Sequence, residues 1–376
     1  MGFNSVKNNR KAIGAMMFAG FAAAPCAAQP QYNIVDIGVI NAGDFGSQGF
    51  GVSPGGVAVG RSLGVSNMGF SWTQAGGRVD LPNFASRPFA GANDANDSGI
   101  VVGTGTTTAF GAGALPLMWD NGVVSQLPLP SGEQVGRANA VNSAGVAVGS
   151  VGSSTTEFGV IYSGGSATVI TQTGPGGTRM RTAFGVNDSG LVVGVGFDPG
   201  NNARNVGFAY DSVTNTAFEV GLLPGRNGAI AFGVSNGGHV VGSSSMNQGS
   251  GTPFIWHQST GDVEIPLPTG ASSGSARGVN SNGWAVGIGS GVFAVPFLFD
   301  GTQTYNLQDL IPAGSGWDLG MNTSSSAMGI TEDGMIIGTG VFNGEVRAYA
   351  MILIPSPGVG AMGIAMGLFA SRRRRR

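Results

Sequence analysis

The chain has 376 residues, with 18 Lys+Arg against 20 Asp+Glu, and only 10% of it is charged, where about 25% is usual. Glycine accounts for 69 residues and hydrophobic types for 41% of the chain. That balance excludes a nucleic-acid binder, which needs an excess of basic charge. It also excludes a disordered chain, which needs low hydrophobicity and high net charge, and collagen, which needs glycine at every third place. What is left is a turn-rich globular chain of many short strands.

Residues 1–28 read as a secretory signal peptide. Lys7, Arg10 and Lys11 give a basic start, Ala12 to Ala24 an apolar centre, and Cys26-Ala27-Ala28 small residues before a cleavage between Ala28 and Gln29. The apolar run is shorter than the roughly 20 residues of a membrane helix. A lipid anchor on Cys26 is disfavoured by Pro25, which stands where such signals carry a small flexible residue. Cys26 is the only cysteine, so the chain after cleavage holds no disulfide and lives off its core.

From there a repeat runs to the end of the body. Its clearest copy is Ala183-Phe184-Gly185-Val186-Asn187-Asp188-Ser189-Gly190-Leu191-Val192-Val193-Gly194. The turn glycines are Gly56, Gly99, Gly145, Gly190, Gly238, Gly283 and Gly334, and the closing glycines Gly60, Gly103, Gly149, Gly194, Gly242, Gly287 and Gly338. Within each copy Val186 and its equivalents end a strand, Asn187 to Gly190 make a tight turn, and Leu191 to Val193 are a β-branched second strand. A third strand follows, with large apolar residues two apart and therefore on one face: Phe70 and Trp72, Leu117 and Trp119, Val160 and Tyr162, Phe208 and Tyr210, Phe254 and Trp256, Phe297 and Phe299. A second hairpin, such as Asp120-Asn121-Gly122, leads to a fourth strand ending near Leu81-Pro82, Leu127-Pro128, Leu223-Pro224 or Leu267-Pro268. Four short strands recurring every 43 to 51 residues, seven times over, predict an all-β, seven-bladed β-propeller of four-stranded blades across residues 29–354. The seventh copy lacks a fourth strand, and Tyr32 to Ile37 resembles one. Its pairing with the last blade is expected to close the ring and remove two open edges.

The layout resembles the extracellular HAF repeat, in which an aromatic strand motif precedes an Ile/Val-Asn-x-x-Gly-x-Val-Val-Gly segment; Asn96, Asn142, Asn187 and Asn280 carry that asparagine. The family's histidine is absent, its places being held by Met68, Leu115, Phe158, Val206, Thr252, Val295 and Arg347, so no role tied to it carries over. The C-terminal segment 355–376 resembles a PEP-CTERM sorting signal: Pro355-Ser356-Pro357-Gly358, an apolar stretch from Val359 to Ala370, and Arg372, Arg373, Arg374, Arg375 and Arg376. The usual motif has Glu where Ser356 stands. That resemblance implies a Gram-negative-type bacterium, transient anchoring in the inner membrane, and processing by an exosortase-type enzyme after signal peptidase has acted at Ala28 and Gln29. Without both signals the body keeps 10 basic residues, all arginine, against 20 acids.

Chemistry is sparse. His239 and His257 are the only histidines, too few for a zinc site, and read as two surface residues of one blade. Asp97, Asp188 and Asp333 lie in equivalent turns, where Asp serves local hydrogen bonding; a ring of them is a weak Ca2+ candidate without a calcium-loop pattern. Gly49-Phe50-Gly51 lacks the strand–helix setting of a phosphate loop. The third-strand aromatics read as core, while Trp317, in the insertion from Ala313 to Ser326, reads as an exposed aromatic suited to sugar stacking. No catalytic, cofactor-binding or metal-ligating residue is assigned. The reading is a non-catalytic binding or matrix protein, extracellular or at the cell surface, with exopolysaccharide or a surface protein as partner. The alternatives are a polysaccharide lyase or hydrolase on the same scaffold, and a purely structural envelope protein.

Overall fold

The structure, a computed structural model, describes residues 29–355 except 110, 154–155, 202–203 and 247–249. The segment expected to be a signal peptide, through Ala28, and the expected sorting tail from Ser356, Pro357 and Gly358 to the five arginines lie outside the described residues. Gln29 and Pro355 are described, and both are exposed.

Seven antiparallel sheets stand in a ring as the blades of a β-propeller. Their innermost strands are Gly46–Val52, Phe89–Ala95, Gly136–Val141, Arg179–Val186, Gly228–Val234, Ser273–Val279 and Ser326–Ile330. In each of the first six blades the chain continues outward through three more strands in sequence order. In the seventh, the third strand Glu345–Leu353 pairs not with a later strand but with Tyr32–Asp36, in register from Tyr32↔Leu353 to Asp36↔Tyr349. The N-terminal strand thus closes the ring as the repeat count predicts, and Tyr32 is fully buried there.

The turn after each innermost strand explains the asparagine of the repeat. Asn187 is buried, and its Oδ1 accepts from the backbone N–H of Leu191 (2.9 Å) and the hydroxyl of Ser189 (2.8 Å). Its Nδ2 donates to the carbonyl of Ser235, the same position in the next blade, at 3.0 Å. Asn96 and Asn142 do likewise, at 3.0 Å to Asn142 and 3.2 Å to Asn187, and Asn280 donates to Thr331 at 3.1 Å. One side chain therefore shapes a turn and ties two blades together. Ser53, Ser235 and Thr331 keep only the first task, their hydroxyls accepting from the N–H four residues on. We expect Asn187→Ala to cost about 2 kcal/mol, because it leaves the Leu191 N–H without its acceptor and removes the bond to the next blade, where the Ser235 carbonyl keeps only the N–H of Gly238. Asn187→Ser, which imitates Ser235, should cost about half that; denaturant titration of both variants measures the difference.

The hydrophobic core lies between blades. Phe70, Leu117, Val160, Phe208, Phe254, Phe297 and Tyr349 are all fully buried, and clusters such as Val59, Leu81, Ala92, Leu117 and Trp119 join one blade to the next. Two expectations need correcting. The fourth strands of blades 4 and 5 stop at Glu219 and Glu264, short of Leu223 and Leu267, because Val220 and Ile265 already turn inward and are buried. Trp317 is not exposed. It forms a two-residue edge strand with Asp318, stacks on Phe342 with ring centroids 4.9 Å apart, and meets Tyr349 edge-on at 5.8 Å. Apolar neighbours on the rim of blade 7 cover it, so it offers no face to a sugar.

Candidate functional site, the axial shaft

Each innermost strand carries a β-bulge at the same place, three residues before its turn residue. A bulge leaves one residue unpaired and re-aims its side chain. Here the seven bulged residues are Phe50, Asn93, Asn139, Phe184, Phe232, Arg277 and Met328, and all seven line an axial cavity of about 430 Å³. A second cleft of about 310 Å³ shares Phe50, Asn93 and Asn139 with it and opens at the other end of the ring. Cavity and cleft together form a shaft.

The lining is chemically divided. Asn93 Nδ2 donates to the carbonyl of Ala138 and Asn139 Nδ2 to that of Ala183, both at 2.8 Å. These bonds fix the two amides and leave their Oδ1 atoms as acceptors without a partner among the described residues. Across the ring, Phe184 and Phe232 lie 5.5 Å apart, and the guanidinium of Arg277 sits 3.9 Å over Phe232. Its Nε donates to Ser275 Oγ at 3.1 Å, and burial lowers its pKa. Arg61, in the second strand of blade 1, donates twice to Gln48 Oε1, at 2.9 and 3.0 Å, lies 5.2 Å over Phe50, and is likewise lowered by burial. Asp94 stands where the other blades have Gly51, Ala140, Gly185, Gly233, Gly278 and Gly329. Burial pushes its carboxyl up to about 7, against the opposing pull of hydrogen bonds from the backbone N–H of Val141 and Ala95. Gly51 makes room for it, since a Cβ there would lie 3.1 Å from Asp94 Oδ1.

The two mouths differ in charge. At the end where the hairpins turn, the acids are Asp97, Asp120, Asp188, Asp211, Asp300, Glu332 and Asp333, and no Lys or Arg lies in those turns. Asp97 accepts from the N–H of Gly55 (2.7 Å), Asp188 from Ser143 N–H (2.8 Å) and Asn236 Nδ2 (2.7 Å), and Glu332 from Ser281 N–H (3.0 Å) and Oγ (2.8 Å). These acids hold neighbouring turns together. In register the counterpart of Asp97 and Asp188 is Glu332, while Asp333 accepts from Thr331 Oγ1 in its own turn. Among the described residues, no group of three or more His, Cys, Asp or Glu is placed to hold a metal ion. The opposite end, where the links between blades run, has Arg61 and Arg137 in the lining of its cleft and no carboxylate there.

His239 and His257 do share a blade, and the structure brings their rings together at 4.7 Å and 31°. Burial and the neighbouring His257 both lower the pKa of His239. His257 Nδ1 is held by Ser259 Oγ at 2.7 Å. Neither histidine lines the shaft.

No protein-family model matches the sequence, and no curated protein matches it. Solved structures do. A streptogramin B lyase is 15% identical, with a TM-score of 0.50, over 86% of this chain and 98% of that one. A virginiamycin B lyase from Staphylococcus aureus is 11% identical over 87% and 100%, with a TM-score of 0.48. A gluconolactonase from Xanthomonas campestris is 14% identical over 68% and 83%, with a TM-score of 0.38. The likeness is one of fold alone. Enzymes are among the neighbours on this scaffold, but function belongs to a site and not to a fold. Among the described residues no helix is long and apolar enough to cross a membrane.

Sequence reasoning passed over the shaft. Its signal was present in six of the seven copies, as a large or polar residue bracketed by two small ones and out of step with the strand alternation: Ala138-Asn139-Ala140, Ala231-Phe232-Gly233, Ala276-Arg277-Gly278. Asp94 was visible too, as the one charged residue in a column of glycine and alanine.

Proposed function

We propose that the protein is a secreted or surface-displayed binding protein of the bacterial envelope, without catalytic activity, that holds exopolysaccharide. What carries this reading is the lining of the shaft: three phenylalanines, two amides, an arginine and a methionine, one from each blade. Aromatic faces and fixed amide acceptors recognise sugars, whereas hydrolysis of a glycosidic bond generally uses two acids. Asp94 is the only strand-borne acid in the lining; Asp97, Asp188 and Glu332 stand at the rim and hold backbone N–H groups. The ends of the body also suit a tethered protein. Ile354 N–H donates to the carbonyl of Gln31 at 2.8 Å, so both proposed processing points leave the ring side by side, at the acidic end. A body held by a C-terminal anchor then turns its arginine-lined mouth outward.

One observation favours the enzyme reading: a carboxyl held near neutral pH inside a cavity is suited to proton transfer. Titrating the protein with purified exopolysaccharide from the source organism, by calorimetry with and without Ca2+, and then sizing the sugar separates the two. Saturable binding with chains of unchanged length supports the binding reading. Shortening of the chains, lost in Asp94→Asn, replaces it with the enzyme.

A further inference from the structure

Ion pairing divides the arginines of the body. Arg78, Arg181, Arg204 and Arg347 each lie within 4.0 Å of a carboxylate, Arg204 reaching both Asp198 and Glu219. The other six have no carboxylate partner among the described residues: Arg87, Arg179 and Arg226 donate to backbone carbonyls or a threonine hydroxyl, while Arg61, Arg137 and Arg277 line the shaft. Arg61 is packed over Phe50 and bonded only to the neutral Gln48. Arg137 is exposed, and its guanidinium makes no hydrogen bond to the described residues. A guanidinium carries five N–H donors, and a buried one left without a counter-charge is costly. The cleft that gathers Arg61 and Arg137 also has Asn93, Asn139 and Phe50 in its lining, the amide oxygens of the two asparagines being without a partner among the described residues.

We propose that this cleft binds an acidic sugar of the uronate class, with its carboxylate on Arg137 and Arg61, its hydroxyls donating to the amide oxygens of Asn93 and Asn139, and its ring against Phe50. The inference rests on the glycan-binding reading and names the sugar. Each group in the cleft then has a partner: a carboxylate matches the guanidinium fork, hydroxyls match fixed acceptors, and the apolar face of a pyranose matches an aromatic ring. A neutral sugar leaves the guanidiniums uncompensated, and inorganic phosphate or sulfate leaves the amide oxygens and Phe50 unused. The cleft, at about 310 Å³, is the size of a small-ligand site. The acidity of the whole body does not oppose this, because no Asp or Glu is among the residues that line the cleft.

Calorimetry of the full body tests the assignment with short oligomers of galacturonate, glucuronate and mannuronate, with neutral galactose and glucose oligomers, and with sodium sulfate. We expect saturable binding of at least one uronate oligomer, weakening as salt is raised, with the neutral oligomers at least tenfold weaker. Arg137→Gln, at an exposed residue with no partner to lose, should weaken uronate binding about tenfold, and Arg61→Gln should do the same if circular dichroism shows it folded. Unchanged affinity in Arg137→Gln overturns the proposal, as does sulfate competing as well as a uronate. Binding of neutral oligomers in preference to acidic ones overturns it while leaving the glycan reading standing. Failure of every oligomer, with the protein folded, overturns the proposal, and failure of the purified exopolysaccharide as well removes the glycan reading.

Discussion

Gly149→Ala is expected to destabilise the protein by about 3 kcal/mol, although Gly149 lies in an ordinary strand and its conformation suits any residue. The reason is the bulge at Asn139. By inserting a residue into the innermost strand it pushes the carbonyl of Arg137 toward the second strand, and a Cβ on Gly149 would stand under 3.0 Å from that oxygen and its carbon. The same clash meets the other six closing glycines, against the carbonyls of Gln48, Gly91, Thr182, Ile230, Ser275 and Ser326. The nearest obstructing atom in each case is a backbone carbonyl oxygen held in a ladder, which cannot give way as a side-chain tip would; at Gly60, Gly242, Gly287 and Gly338 a ring of the third strand stands under 3.0 Å as well. Relief requires undoing the bulge, which would withdraw Asn139 from the shaft. Gly43→Ala is the control: nothing lies within 4 Å of a Cβ there, and the change should be neutral or stabilise by about 0.5 kcal/mol. Equal stability of Gly149→Ala and the parent in urea titration would show that the bulge is not the reason for the glycine.

That glycine marks the limit of what the sequence made legible. Periodicity reports what recurs, and the recurring features were read correctly: seven turns, the aromatic third-strand column, and an orphan first strand whose length and pattern matched the gap in the last blade. The physical cause of Gly149 was not legible, because it lies in a register shift between two strands and no spacing within one strand reveals it. The shaft was hidden for the opposite reason. Its residues share a position but not a chemistry, so Phe50, Asn93, Arg277 and Met328 look like noise within the repeat until the ring places them around one axis. Trp317 misled because an insertion between strands normally lies in solvent; here it folds back, and Phe342 and Tyr349 bury the indole. The His239–His257 pair needed tertiary information as well: the repeat assigns both to blade 5, and only the strand pairing of Val240 with Trp256 sets their rings against each other.

The second large effect is expected at Asp94, and it depends on pH. Its carboxyl, ordinarily at 3.8, is held up to about 7 in the folded protein by burial. Below about pH 4 both the folded and the unfolded chain carry the proton, and the residue exerts no penalty. As pH rises from about 4 to about 7, the unfolded chain releases its proton while the folded chain keeps it, so stability falls. Above about pH 7 the penalty is complete, at about 4 kcal/mol. Asn retains an oxygen for the Val141 N–H and has no charge to bury. Asp94→Asn should therefore match the parent near pH 4 and exceed it by about 2 to 4 kcal/mol at pH 8. Taking the difference between the two proteins at each pH cancels the titration of every other group. A difference that stays constant from pH 4 to pH 8 would mean that Asp94 is solvated and unperturbed. A residue that costs stability where all six of its equivalents are glycine or alanine points to a use for the carboxyl in the shaft. Its ionisation also adds a negative charge next to Asn93, whose side chain lines the cleft with Arg61 and Arg137. Uronate binding should accordingly weaken between pH 6 and pH 8 in the parent and not in Asp94→Asn, which makes the same substitution a reporter of stability and of the ligand's charge.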